Sequence, residues 1–193
     1  ESILDPVSDP NTPGVKGSHT PGVSDLVARD RDIQEVINYR SVMEYLDSLV
    51  PKGSDLEKSI QPIDSKVVGS DPKTYIVINR HILEEIHRLT VKGLLPDTES
   101  GHYRSVKVVI RNTATKEITF RPPAPTEVPF YIEELFSWLS SEDGQSVHPL
   151  LRAGILHYEL VRIHPFTDGN GRTARAMALL LLFLEGYEVK KFF

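Results

Sequence analysis

The chain reads as a mainly α protein with one β-hairpin, preceded by an irregular N-terminal arm and an extra helix. Three observations predict this. Apolar residues recur at three- and four-residue steps along most of the chain, the period of a helix face. One pair of short β-branched runs, "HYRSVKVVI" and "KEITF", departs from that period. Residues 1–24, "ESILDPVSDPNTPGVKGSHTPGVS", are dense in Pro, Gly, Ser and Asp and carry no apolar period.

The elements follow in order. An irregular arm covers 1–29. From Asp30, the residues Ile33, Val36, Ile37, Tyr39, Val42, Met43, Leu46 and Leu49 predict an amphipathic helix that stops before Pro51. Turn signals "PKGS" and "GSDPKT" interrupt the chain after it, so 30–78 forms a helical extension ahead of a core at 79–193. Asn79 offers an N-cap for a helix carrying Ile82, Leu83, Ile86 and Leu89, with Gly93 at its end. The two β-branched runs flank the polar "RNTAT" and predict a hairpin, after which "RPPAP" forbids regular structure because proline removes donors. Helices are expected at Val128–Leu139, Pro149–Ile163 and Arg172–Glu185, the last stopped by Gly186.

With 193 residues the chain is long enough for one well-buried core. Its 39% apolar and 25% charged residues match an ordinary globular composition, and a net charge of -5 with no basic stripe argues against nucleic acid as a partner. The absence of cysteine excludes disulfides, thiolate metal sites and a cysteine nucleophile. The longest apolar run, "AMALLLLFL", is far shorter than the roughly 20 residues of a membrane span. No secretory signal pattern opens the chain, so no membrane and a cytoplasmic location are expected. Neither end reads as a natural terminus, since the chain opens without methionine and stops on "KKFF".

The chemistry concentrates in "HPFTDGNGRTAR", His164–Arg175. Two glycines around Asn170 let the backbone take positive φ and turn its N–H groups toward one point, an anion nest at a helix N-terminus. Arg172 and Arg175 lie three apart, so both reach one polyanion, which suits a di- or triphosphate better than a single phosphate. Asp168 would be repelled by bare phosphate, so its place implies a bridging cation, and Mg²⁺ is the metal that joins carboxylate to phosphate oxygens. His164, closing the preceding helix, is placed to take a proton from an attacking hydroxyl, and Phe166 is expected to anchor the loop in the core. Taken singly, each feature has an ordinary explanation: a capping histidine, a turn, a solvated pair of arginines. Their joint presence between two buried flanks points to nucleotidyl or phosphoryl transfer to a hydroxyl.

The twelve residues resemble the signature of the Fic (filamentation induced by cAMP) domain family, H-P-F-x-[DE]-G-N-G-R-x-x-R, at every specified position. "GHYRSVKVVI" resembles the strand of the family's flap, "RPPAPTEVPFYIEELFSWL" the segment after it, and "EVINYRSVMEYL" an upstream helix, so the similarity covers roughly 30–193. The resemblance implies a helical Fic core with one hairpin and transfer of AMP from Mg-ATP to a Ser, Thr or Tyr hydroxyl of a protein. It implies His164 as general base and Asp168 as magnesium ligand. Gly169, Asn170 and Gly171 become the cradle of the α- and β-phosphates. Arg172 contacts the phosphates, Arg175 holds the γ-phosphate, and Thr173 joins the nucleotide-binding set. The flap, residues 103–121, would align a protein substrate by strand addition, with backbone at Val108, Val109 and Ile110 bordering the nucleotide.

Many members carry an inhibitory helix, [ST]-x-x-x-E-[GN], whose glutamate pairs with the arginine matching Arg175. No intact copy occurs here, but Glu1 followed by "SIL" resembles the tail of such a motif, with Ser2 where Gly or Asn is expected. The family's usual helix after "GYEVKKFF", which lines the adenine site, is missing from this sequence. AMP removal, transfer of another phosphate-containing group, and a non-catalytic nucleotide-binding regulatory module stay open as alternatives, and so does homodimerisation.

Overall fold

The computed structural model describes residues 23–50, 78–112, 114–115 and 117–187, without the side chains of 23–28. Glu1 and the rest of the arm up to residue 22, the turn signals within 51–77, and residues 188–193 lie outside the described residues.

Helix α1, Val23–Leu49, starts well before the predicted Asp30, so 23–29 is helix and not irregular arm. The physical reason lies in the breakers. Pro21 and Gly22 are the last of them, and no proline or glycine interrupts Val23–Leu49. The predicted apolar stripe is used only in its second half. Val42 and Leu46 are buried, whereas Ile33, Val36, Ile37 and Tyr39 are exposed. Between them Asn38 points inward, and its Nδ2 donates to the carbonyls of Thr90 at 3.1 Å and Lys92 at 2.8 Å. Those carbonyls belong to the end of α2, Arg80–Thr90, and to the turn after it, where helix carbonyls lack partners. One amide thus fastens α1 across the end of α2.

Helix α2 starts as predicted, with the Ile82 N–H donating to the Asn79 side chain at 3.2 Å. Ile82, Leu83 and Ile86 are buried, and so is His87. Gly93 takes φ 72 in the turn that follows, a left-handed conformation that suits glycine.

The hairpin is shorter than expected. Strand β1 is Ile110–Arg111 and β2 is Ile118–Phe120, antiparallel, with Ile110 opposite Phe120, Arg111 opposite Ile118, and an irregularity between them. Residues 103–109, predicted as strand, are not in the ladder. The Arg104 N–H donates instead to the Pro165 carbonyl at 2.9 Å, and Pro122 and Pro123 beyond β2 have no N–H to extend the pairing.

Proline-led 125–127 enters α3, Val128–Ser140. A one-turn helix α4, Glu142–Ser146, follows unpredicted, capped by Ser141, whose Oγ accepts the Gly144 N–H at 3.1 Å. Five residues are too few for an apolar period to register. Helix α5, Pro149–Ile163, has the predicted bounds. Helix α6, Asn170–Leu184, starts ahead of the predicted Arg172 and ends before Gly186, at φ 83.

Helix α6 is central: it packs on α5, α2 and α1, while α3 covers α5. Leu46, Leu83, Ile86, Ile132, Leu156, Ile163, Met177 and Leu180 are fully buried where these helices meet. Each such side chain contributes about 1.5–3 kcal/mol by leaving water. This packing holds the C-terminus of α5 and the N-terminus of α6 against α2, with residues 164–169 between them.

Candidate active site

His164 ends α5 at φ 52 and ψ 60, the left-handed region, and no other non-glycine among the described residues has positive φ. Such a conformation costs an L-residue about 1–3 kcal/mol. Arg104 stabilises it from the base of the hairpin. The residue is buried, and its Nε donates to the His164 carbonyl at 2.7 Å. Its two Nη groups donate to Pro123 at 2.7 Å, Val106 at 3.0 Å and Ile163 at 3.4 Å. Burial draws the Arg104 pKa down, yet a guanidinium stays charged, and here it is satisfied by carbonyl dipoles.

The His164 ring is fixed by its own helix. Nδ1 lies 3.2 Å from the Val161 carbonyl. A carbonyl only accepts, so Nδ1 carries the proton and Nε2 keeps its lone pair. Burial lowers the His164 pKa against the effect of that bond, which keeps the ring neutral at neutral pH.

Beneath the loop, fully buried Phe166 stacks on His87, centroids 3.6 Å apart and planes 3° from parallel, and tilts against Tyr103 at 5.7 Å. The Phe166 N–H donates to Asn170 Oδ1 at 2.9 Å, and Asn170 Nδ2 returns to the Phe166 carbonyl at 2.9 Å. His87 ties the loop to α2. It accepts the Gly101 N–H on Nδ1 at 2.9 Å, so its Nε2 carries the proton and donates to the Asp168 carbonyl at 3.0 Å.

Burial pushes the His87 pKa down to about 4 from an ordinary 6.5. The unfolded chain therefore takes up this proton more readily than the folded one. The His87 contribution to stability is complete above pH 6.5 and is lost as pH falls from 6.5 to about 4. We expect that loss to be about 3 kcal/mol. Urea midpoints of the parent and His87→Gln should converge as pH falls through this window; parallel curves would show that His87 does not titrate on unfolding.

Gly169, at φ 76, turns the chain into α6. A Cβ there would lie 2.6 Å from Val91 Cγ1, so the position excludes a side chain on steric as well as conformational grounds. The predicted nest is corrected in one respect. Gly171 lies within α6 and does not take positive φ. The cradle is thus one left-handed glycine followed by the unpaired first-turn N–H groups of α6, with the positive end of the helix dipole behind them.

Asp168 Oδ1 accepts the Gly169 N–H at 2.7 Å. Its Oδ2 faces two cations, Arg31 Nη2 at 2.8 Å and Arg172 Nη2 at 3.6 Å. Burial acts to raise the Asp168 pKa, but the Gly169 bond and these guanidiniums outweigh it, so the carboxylate is charged. Arg172 Nη1 also pairs with Glu35 Oε1 at 3.0 Å. Thr173 is buried in the same turn, and Arg175, exposed, makes no ion pair among the described residues. No cluster of three His, Cys, Asp or Glu able to hold a metal occurs among the described residues. One charged carboxylate at a phosphate cradle does fit Mg²⁺, which takes one or two carboxylates and completes its shell from phosphates and water.

The structure therefore brings His164, Asp168, Gly169, Asn170, Gly171, Arg172 and Thr173 to one loop and one helix turn, with Arg175 on the next. Val108 and Val109 lie outside the ladder and Ile110 opens β1, and none of the three has a hydrogen bond to this loop among the described residues. Glu1 lies outside the described residues. Sequence reasoning missed Arg31, Glu35, His87 and Arg104. The signal for His87 was a histidine among apolar neighbours on α2's inner face; nothing local marked Arg104 as buried, because it sat in a run that reads as strand.

Fold and site define a helical protein with a left-handed histidine closing one helix and a left-handed glycine opening the next, a helix start able to receive an anion. Residues 77–182 match the Fic/DOC family, and the chain belongs to it. It is 33% identical over 150 residues to a protein adenylyltransferase Fic of Drosophila grimshawi, covering 77% of this chain and 29% of that relative. To a protein of the same name from Nematostella vectensis it is 41% identical over 103 residues, covering 53% of this chain and 22% of the relative. The chain thus spans less than a third of these relatives. Among solved structures, it resembles a Fic family protein from Desulfovibrio desulfuricans, with a TM-score of 0.55, 29% identity and coverage of 79% of this chain and 37% of that one. A Fic domain containing signaling protein from Bacteroides thetaiotaomicron gives a TM-score of 0.59 at 25% identity, covering 81% and 50% of the two chains. No helix among the described residues is long and apolar enough to cross a membrane.

Proposed function

We propose that this chain is the catalytic part of a protein adenylyltransferase that moves AMP from Mg-ATP to a Ser, Thr or Tyr hydroxyl of a target protein. The observation that carries this reading is the His164 ring, whose Nδ1–H is held by Val161 so that Nε2 is left as the base. The names of the Drosophila and Nematostella relatives support the reaction class.

In the proposed step, His164 Nε2 removes the hydroxyl proton as the hydroxyl oxygen bonds to the α-phosphorus of ATP. The bond from that phosphorus to the α–β bridging oxygen breaks, and pyrophosphate leaves with the electron pair. Gly169, its own N–H taken by Asp168, turns the chain so that the first-turn N–H groups of α6 hold the α- and β-phosphates, where charge grows as the bond breaks. Arg172 and Arg175 bind the outer phosphates and fix which phosphorus faces His164. Asp168 would hold Mg²⁺, which, when bound, neutralises charge on the leaving pyrophosphate. The hairpin would offer a target segment the outer edge of β2, beside the exposed Ile118 and Phe120.

Incubation with ATP labelled at either the α- or the γ-phosphate, with and without EDTA, tests the reading. We expect α-label on protein, no γ-label, and neither in EDTA. Label from the γ-position alone would show kinase chemistry instead.

A further inference from the structure

Four charges, from α1, from the loop before α6 and from α6, close a ring beside the cradle. On α1, Arg31 and Glu35 stand four apart, with Arg31 Nε 3.3 Å from Glu35 Oε1. Across from them, Asp168 and Arg172 also stand four apart, 3.6 Å from each other. Arg31 donates to Asp168 at 2.8 Å, and Glu35 Oε1 lies 3.0 Å from Arg172 Nη1 as an ion pair, so every cation is paired with both anions. The ring is neutral as a whole, and it occupies the groups that a metal-bound nucleotide needs.

We propose that the Arg31 guanidinium is a built-in competitor for the metal, holding the Asp168 carboxylate until Mg²⁺ displaces it. This rests on the adenylyl-transfer reading above and adds a regulation of the same site. Geometry gives the reason. Asp168 Oδ1 already accepts the Gly169 N–H, so Oδ2 is the less engaged oxygen for a cation, and Arg31 is on it. A guanidinium 2.8 Å from that oxygen repels a second cation there, so Mg²⁺ binds Oδ2 in competition with Arg31.

The exchange is easy for two reasons. The side chains of Arg31 and Asp168 are 50% and 44% exposed, and ion pairs of that exposure are weak. Glu35 lies on Arg31 already and retains it after displacement, so the guanidinium leaves the carboxylate without losing its last partner. Arg172, less exposed at 24%, keeps Glu35 and stays beside the cradle. The gate therefore sets how much metal the site requires and leaves the phosphate contacts in place. It differs from an inhibitory glutamate on Arg175, since it acts on the metal carboxylate and comes from α1.

The test is a linkage measurement without turnover. An ATP analogue with a methylene between the α- and β-phosphorus is titrated calorimetrically into the full chain, in EDTA and at stepped magnesium concentrations. The ratio of its Kd in EDTA to its Kd in magnesium reports the metal's contribution and cancels any direct contact between Arg31 and phosphate. Arg31→Ala should raise that ratio about two- to five-fold, the range that loss of an exposed ion pair allows. In an Asp168→Ala background the same substitution should leave the ratio unchanged. An unaltered or smaller ratio in Arg31→Ala overturns the proposal, as does an effect that persists without Asp168. Failure of the parent chain to bind the analogue at any magnesium concentration overturns the adenylyl-transfer reading itself, and the gate with it.

Discussion

Phe166→Ala is expected to lower stability by about 3–5 kcal/mol in equilibrium urea unfolding, the cost of emptying a fully buried aromatic site. The ring has no exposed surface, and it lies face to face with His87 at 3.6 Å. Little can move to fill the space. His87 is held at both nitrogens, by the Gly101 N–H and the Asp168 carbonyl, and Tyr103 meets the ring from another side at 5.7 Å. A cavity that cannot collapse is the costly kind. The loss should extend to the site, because His87 carries the Asp168 carbonyl and through it the turn at Gly169. Nucleotide affinity should therefore fall in the surviving folded fraction. A stability change below about 1 kcal/mol would mean that the surroundings repack freely, contrary to the contacts described.

The legibility of this protein follows the range of the forces involved. Helices α2, α5 and α6 carry their signals within a few residues: a capping Asn79, a leading Pro149, a stopping Gly186. The chemistry of 164–175 was equally local, since a glycine turn, a helix start and two arginines on one face need only neighbours in sequence to be recognised. What stayed hidden depends on partners far along the chain. Arg104 is buried because carbonyls of Pro123, Ile163 and His164 converge on it, and that convergence ended the strand predicted for 103–109. Arg31 and Glu35 read as ordinary solvated helix charges until α1 is packed beside α6. Asn38 sat between two apolar residues and faces inward, because the C-terminal end of α2 and the turn after it needed a donor more than the interface needed another methyl group. The glycine pair misled in a subtler way: Asn170, bonded twice to Phe166, starts the helix so early that Gly171 has no turn to make.

His164→Ala is expected to reduce transfer of label by about 10²- to 10⁴-fold, the range contributed by a positioned general base. The substitution spares what holds the loop. Arg104 bonds the His164 carbonyl and not its ring, and among the described residues the imidazole's hydrogen bond is to Val161 of its own helix. The left-handed backbone is no better suited to alanine, so a modest loss of stability is expected, with the fold retained. Nucleotide binding should survive, because the cradle and both arginines are untouched. Activity of the parent should also fall as pH drops through the His164 pKa, which burial lowers from its ordinary value.

The most direct test follows the α-phosphate of labelled ATP onto protein in magnesium, comparing the parent with His164→Ala at equal nucleotide occupancy. Label on the parent and a loss of at least about 10²-fold in the variant are expected. Equal labelling of the two would contradict the role of His164, since the base would then lie elsewhere.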